Sequence, residues 1–292
     1  MPRKALSIRR GVRQSRTRAR RIYGLATKRA RILPSFLLIG AQRAGTTSLF
    51  YYLCSHPDVS RPATKEIHFF DDNYWRGADW YRSFFPLSGG GDRVTGEATP
   101  YYLFHPAVPE RVAATIPDVR LVALLRNPVD RAYAHYHKMR RMGIERLSFK
   151  KALAAEERRL AGEEEWLLAD PRYRSAHHRR HAYVRRGLYA DQLERWLASF
   201  PRDQLLVLRS EDFFTRPAEV YAETLDFLDL PPWQPDAFED RNPGSYKRLA
   251  PKVRADLEER FAEPNARLAR LLGRDLWAPP APTQSSSPSS SA

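Results

Sequence analysis

Cysteine is almost missing from this 292-residue chain: Cys54 stands alone. That excludes an intramolecular disulfide framework and agrees with a reducing compartment. Long apolar runs are missing too. The longest candidate, Phe36 to Ile39, falls far short of the roughly 18 residues that a membrane span requires, and the N-terminus lacks the apolar centre of a secretory signal. The sequence therefore points to a soluble globular protein of the cytoplasm. Acidic residues are absent from the first 35 positions, which hold twelve Arg or Lys and so supply twelve of the +15 net charges, leaving +3 for the remainder. The basicity belongs to a tail. Such a tail can contact nucleic acid, an anionic membrane surface or an acidic polymer, or remain a solvated arm. What remains is ample for a core, with 42% hydrophobic and 12% aromatic residues. The expected organisation is a basic tail over 1–33, one domain over 34–277, and a Pro/Ser-rich disordered end over 278–292.

The chain is organised around FLLIGAQRAGTTSLF, Phe36 to Phe50. An apolar run breaks at Gly40, passes Arg43, and becomes periodic again after Gly45, which reads as buried strand, loop and helix. Gly40 and Gly45 stand at the spacing of the GxxxxGK[ST] nucleotide loop, whose bare backbone amides surround an anion at a helix N-terminus. Where an NTPase carries lysine, however, this chain has Thr46, followed by Thr47 and Ser48. That disfavours ATP or GTP hydrolysis, while one phosphate joined to a further anion can still be held by amides, hydroxyls and Arg43. Taken alone, the loop is equally compatible with a strand-to-helix turn with incidental glycines.

Further along, residues 46 to 55 form a helix with Leu49, Phe50 and Leu53 on its buried face, ended by His56-Pro57. The stretch Lys65 to Pro86 is dense in aromatics interleaved with charge, and core packing is the expected role of most of those rings. Gly89 to Gly91 mark a loop. Strands follow at Val94 to Glu97 and at Leu121 to Leu125, with a helix over 107–116 between them. The second strand stops at Arg126-Asn127-Pro128, a charged turn at a strand C-terminus, where open α/β sheets bind ligands. Pro128 opens a helix running to about Met142, and another spans Ser148 to about Leu160. His177 and His181 share a helical spacing, but Arg179 and Arg180 lie between them and no carboxylate follows until Asp191, which argues against a metal. A helix over 188–199, a strand over Leu205 to Leu208 and a helix over Ala218 to Leu228 follow. Helices from about Lys252 to Leu272 are interrupted at Pro264. Strands alternating with helices imply a mainly parallel sheet with helices on both faces.

With these segments placed, the sequence resembles the sulfotransferases that use 3′-phosphoadenosine 5′-phosphosulfate (PAPS), most of all the branch related to heparan sulfate N- and O-sulfotransferases. The similarity runs from about Pro34 to Trp277. It is carried by GAQRAGTTS (Gly40 to Ser48), by KEIHFFD (Lys65 to Asp71) with WYRSFFP (Trp80 to Pro86), and by RNPVDRAYAHY (Arg126 to Tyr136). The resemblance implies a P-loop-like, three-layer α/β/α fold and metal-independent transfer of a sulfuryl group to a hydroxyl or amine. It implies that Gly40, Gln42, Arg43, Ala44, Gly45, Thr46, Thr47 and Ser48 hold the 5′-phosphosulfate. Arg126 and the position of Ala134 take the 3′-phosphate, and Tyr246 and Lys247 lie in the loop closing over the nucleotide. Glu66 matches the catalytic base, with His68 assisting, and Arg43 meets the charge on the departing oxygen. The acceptor is expected to be a carbohydrate or glycosylated metabolite, covered by the polar region from Glu145 to Arg186.

Three positions depart from the family pattern: Arg43 replaces a lysine, Ala134 a serine, and Ala98 a lysine frequent in heparan-type enzymes. Rival readings are a kinase on the same general fold, a catalytically degenerate nucleotide-binding member, and a basic protein that binds nucleic acid or membrane through its first 35 residues.

Overall fold

The computed structural model describes residues 24–88, 93–239 and 246–278. The basic stretch up to residue 23, the triple glycine at 89–91, the loop residues 241–245 and the chain from 279 lie outside them.

Five strands form one sheet: β1 Phe36–Gly40, β2 Val59–Ser60, β3 Val94–Ala98, β4 Arg120–Leu125 and β5 Leu205–Arg209, in the order β2-β3-β1-β4-β5. Every pairing is parallel. β1 is buried along its whole length and β4 nearly so, as expected of strands covered on both faces, which is why both read as unbroken apolar runs. Phe36 pairs with Gly96 on one side and Arg120 on the other, so β1 is central. The chain leaves β1 for one edge, returns through β3, and crosses to β4. This reversal opens a crevice at the C-terminal ends of β1, β3 and β4, where such sheets bind ligands.

Eleven α-helices are assigned among the described residues: α1 Thr46–Leu53, α2 Ala78–Arg82, α3 Val108–Thr115, α4 Pro128–Arg141, α5 Phe149–Leu160, α6 Glu163–Ala169, α7 Ala176–Arg180, α8 Tyr189–Leu197, α9 Ser210–Thr215, α10 Pro217–Phe227 and α11 Pro251–Leu272. They flank the sheet, giving the α/β fold that the alternation implies. None is long and apolar enough to cross a membrane. The main core gathers around the sheet, and a second cluster, including Tyr136, Phe149, Tyr183 and Phe261, joins α4, α5 and α11. The aromatics after Lys65 mostly pack this core: Phe69 stacks on Tyr81 at 4.4 Å between ring centroids, and Phe70 and Phe85 are fully buried beside them.

One expectation fails. Residues 251 to 272 form a single helix with Pro264 inside it, not helices interrupted there. Proline removes one hydrogen bond and crowds the preceding turn, a cost of about 3 kcal/mol. Both halves are nonetheless anchored. Leu257 and Phe261 before the proline and Leu268 after it are buried. Arg254 bonds Asp130 of α4, and Arg267 bonds Asp191 and Glu194 of α8. Fastening on both sides of Pro264 keeps the helix continuous.

Candidate active site

The loop between β1 and α1 lies at the crevice. Gly45 has φ +96°, and a Cβ there would meet the rings of Phe213 and Phe214 at 3.1 Å, so the turn needs glycine on two counts. Arg43 also adopts a left-handed conformation, φ 74°. Neighbouring elements hold this backbone. Arg126, following β4, donates from Nη1 to the Arg43 carbonyl at 3.1 Å, and the Ser210 hydroxyl donates to the Ala44 carbonyl at 2.7 Å. Tyr189 in turn fixes the Arg126 carbonyl at 2.8 Å. Asn127 caps α4 by accepting from the amides of Val129 and Asp130. Thr46 and Ser48 are buried in the first turn of α1, with Thr47 half-buried between them.

A cleft of about 330 Å³ opens beside this loop, lined in part by Arg43, Ala134, His137, Lys138, Arg141 and Tyr246. Arg43, Ala134 and Tyr246 were singled out from the sequence, and here they share one wall. Tyr246 stacks flat on His137, with centroids 4.7 Å apart and planes 4° apart. Lys247 is exposed and does not line the cleft.

The other side of the crevice is built at the end of β3. The Glu66 amide donates to the Ala98 carbonyl at 3.2 Å, and Ala98 pairs with Leu38 of β1, so Glu66 stands one strand away from the β1–α1 loop. Its carboxylate is paired with Lys65 Nζ at 2.6 Å and faces His68 Nε2 at 3.7 Å. On its other nitrogen, His68 Nδ1 donates to Asp71 Oδ2 at 2.7 Å. Burial by itself would raise the Glu66 carboxyl, but His68 and Lys65 outweigh it and pull it down to about 2. Burial would likewise lower the imidazole of His68, yet bonds to Asp71 and Glu66 push it up to about 10. Glu66 is therefore a carboxylate and His68 an imidazolium at neutral pH. Only one of the two can accept a proton.

His68, Asp71 and Asp72 bring one ligand atom each within 4.8 Å of one another, among the described residues a grouping that could hold a metal ion. Arg179 already serves both carboxylates there, with Nη2 2.8 Å from Asp71 Oδ2 and 2.7 Å from Asp72 Oδ1. A guanidinium occupies the position a cation would take. His177 and His181 do approach each other, Nδ1 to Nδ1 at 3.2 Å.

Three groups escaped the sequence reading as site residues. Asp71 was visible inside KEIHFFD, three residues after His68, but its pairing needed the geometry. In the sequence Arg179 is merely a spacer between histidines. Arg186 gave no signal at all, yet its Nη1 donates to Gln42 Oε1 of the β1–α1 loop at 2.8 Å and its Nη2 to the Arg179 carbonyl at 2.8 Å. The rings of Tyr101 and Phe104 flank its guanidinium at 4.8 and 5.1 Å, and Tyr101 also faces Arg179 at 4.7 Å. Burial lowers the pKa of Arg186 to about 9, still charged at neutral pH. The β1–α1 loop and the Glu66–His68–Asp71 group are thus linked through Arg186, Tyr101 and Arg179.

A family model described as the sulfotransferase domain matches residues 33–240. The chain is 28% identical over 311 residues to the membrane-associated sulfotransferase kil1 of Dictyostelium discoideum, covering 84% of this chain and 66% of that protein. It is 35% identical over 200 residues to the human heparan sulfate glucosamine 3-O-sulfotransferase 6, covering 68% of this chain and 53% of that protein. This chain therefore spans less than two thirds of the length of either curated relative. The crystal structure of a sulfotransferase from Alicyclobacillus acidocaldarius superimposes with a TM-score of 0.66 at 33% identity, covering 84% of this chain and 97% of that one. The chain belongs to the sulfotransferase domain family.

Proposed function

We propose that this chain transfers a sulfuryl group from PAPS to a hydroxyl or amine of a small-molecule or glycan acceptor, a carbohydrate or glycosylated metabolite, by in-line attack with Glu66 as general base. The observation that carries the reading is the placement of the glycine-bracketed loop with Arg43 at the end of β1 and of a carboxylate at the end of β3, on adjacent strands of one crevice.

The physics is that of phosphoryl transfer, with positioning and charge stabilisation doing most of the catalysis. As the acceptor oxygen or nitrogen bonds to sulfur, the bond from sulfur to the bridging oxygen breaks, and Glu66 takes the acceptor's proton. Charge develops on the departing 5′-phosphate, where Arg43 and the loop amides meet it. Arg43 supplies charge and a planar fork but holds its proton, so it is an electrostatic partner rather than an acid. The imidazolium of His68 cannot act as base and serves to orient the acceptor. At rest Glu66 is paired with Lys65. An acceptor group that takes the place of Lys65 and excludes water removes that counter-charge and raises the basicity of Glu66. The cleft with Ala134, His137 and Tyr246 takes the nucleotide, with Arg126 directed to the 3′-phosphate. Arg174 and Arg179, which reach Asp72 and Asp71, bring the region 145–186 beside the acceptor side as a cover. No metal is assigned a role.

We read the basic stretch 1–33 as an accessory in a cytoplasmic enzyme, with an anionic surface or polymer as its contact. Salt-sensitive binding that disappears on deleting those residues, while transfer persists, tests that point.

The deciding experiment is thermal shift with adenosine 3′,5′-bisphosphate beside Mg-ATP, followed by transfer of label from PAPS. At ~100 times its Kd the ligand adds about 2.7 kcal/mol, or roughly 5 to 10 °C. A shift with the bisphosphate and none with Mg-ATP supports the reading. No shift with the bisphosphate overturns it.

A further inference from the structure

Two residues of the acceptor side sit in a backbone conformation that side chains rarely adopt: Glu66 has φ 58° and His68 φ 55°. Left-handed backbone at two non-glycine positions so close together persists only where the surroundings over-determine it. The determinant lies beneath them. Glu97, on β3 opposite Leu37, is completely buried, and its carboxylate is saturated with donors. Oε1 accepts from the Ile67 amide at 3.2 Å, the Thr99 hydroxyl at 2.6 Å and the Tyr102 hydroxyl at 2.8 Å. Oε2 accepts from the Tyr81 hydroxyl at 2.6 Å.

The direction of these bonds matters. Because Tyr102 gives its proton to Glu97, the lone pairs of its oxygen face the chain above, where they accept from the amides of Phe69 at 3.0 Å and Phe70 at 3.4 Å. The amides of residues 66, 67, 69 and 70 are therefore all taken up from β3 and the turn that follows it, by the Ala98 carbonyl, Glu97 and Tyr102. Asn73 adds a bond from Nδ2 to the His68 carbonyl at 2.7 Å. Burial pushes the Glu97 carboxyl up, opposed by the hydroxyl bonds from Thr99, Tyr81 and Tyr102 that favour its charged form, and in that form its two oxygens accept all four donors without donating in return.

We propose that Glu97 is a positioning residue for sulfuryl transfer: its buried carboxylate, directly and through Tyr102, clamps the backbone on either side of Glu66 and His68 and so aims both side chains at the acceptor. The proposal rests on the reading of Glu66 as base. Glu97 itself touches neither donor nor acceptor.

The test uses the full chain with three variants: Glu97→Gln, Tyr102→Phe and, as a core variant remote from the crevice, Val207→Ala. Glutamine keeps the shape but turns one acceptor into a donor, opposing either Tyr81 or the Ile67 amide. We expect Glu97→Gln to lower kcat by ~10 to 100-fold, the usual consequence of a misaimed group, with the donor KM within about twofold of wild type. Amides of residues 67, 69 and 70 should exchange at least ~10-fold faster while those of β1 and β4 keep their protection. Tyr102→Phe should behave alike, and the double variant should lose no more than the larger single loss, because both act on one clamp. Val207→Ala should lower Tm and leave kcat unchanged. Should Glu97→Gln fail to fold, Tyr102→Phe gives the same readings.

A variant with local exchange unchanged, or with kcat within about threefold of wild type, overturns the proposal. So does a fall of kcat in Val207→Ala as large as that in Glu97→Gln, since destabilisation would then account for both. If the wild-type chain transfers no sulfuryl group at all, the functional reading fails, whereas the exchange measurement still decides whether Glu97 holds the Glu66–His68 backbone.

Discussion

His68 and Asp71 are joined by a 2.7 Å hydrogen bond from Nδ1 to Oδ2, while the second ring nitrogen of His68 faces Glu66 at 3.7 Å. Asp71 is buried and held below the usual carboxylate range: burial opposes its ionisation, but His68 and Arg179 more than offset that. The imidazole is thus enclosed by two anions, and its proton is part of the fold.

A pH dependence follows from that proton. His68 in the folded chain is pushed up to about 10, above the ordinary imidazole value of 6.5. A raised pKa contributes stability that is fully present below pH 6.5 and is lost as pH rises through 10. The difference in unfolding free energy between wild type and His68→Asn should therefore shrink by ~1 to 3 kcal/mol between pH 6.5 and 10. Chemical denaturation of both proteins across that range measures it. A difference independent of pH would mean that His68 is neutral in the folded chain.

Replacing Glu66 by Gln removes the group assigned to accept the proton and keeps its size. The side chain is 45% exposed, so solvent screening discounts what its pairs with Lys65 and His68 contribute to stability, and Tm should fall by only a few degrees. Turnover should fall by ~10²-fold or more, the range of a lost general base. Affinity for adenosine 3′,5′-bisphosphate should stay the same. Wild-type turnover in Glu66→Gln would remove Glu66 from the mechanism.

Arg43 lines the cleft beside the β1–α1 loop, and under the proposed reading it meets both the bound donor and the charge of the transition state. Arg43→Ala should therefore raise the donor KM and lower kcat together, each by ~10-fold or more. A loss confined to KM would restrict Arg43 to ground-state binding, and normal values of both would dismiss the loop assignment.

The sequence exposed the two strand-end segments of this site because their chemistry is local. Gly40 and Gly45 bracket a turn that only a strand and a helix can flank, and Pro128 after Arg126-Asn127 announces the next helix. Elsewhere local signals misled or fell silent. Pro264 carries the usual mark of a helix break, yet burial of Phe261 and Leu268 on either side overrides it. Arg179 and Arg186 reach Asp71 and Gln42 across 108 and 144 residues of sequence. Such pairings are created by packing of α7 against α5 and α6 and of the turn at 185–187 against α4, and no spacing rule contains them. Glu97 shows a third case. Its acidic type within a buried strand was visible, but the four donors that make it tolerable there come from Ile67, from Tyr81 of α2, and from Thr99 and Tyr102 in the turn after β3.

Ala134 offers a test in the direction of gain. It lies on α4 with 1% exposure, on the wall of the cleft that also presents Arg43 and His137, and it contributes no polar side-chain atom where the family pattern has a hydroxyl. Serine at this point costs a few tenths of a kcal/mol in helix propensity, so Ala134→Ser should lower Tm by ~1 to 2 °C. In return its hydroxyl can donate to the 3′-phosphate, and a hydrogen bond to a charged group is worth about 1.5 to 3 kcal/mol. The Kd for adenosine 3′,5′-bisphosphate should fall by ~10-fold or more, as read by titration calorimetry. Adenosine 5′-monophosphate lacks the 3′-phosphate and should bind wild type and variant equally. Equal tightening of both ligands would place the new hydroxyl elsewhere on the nucleotide, and no tightening of either would detach Ala134 from the 3′-phosphate altogether.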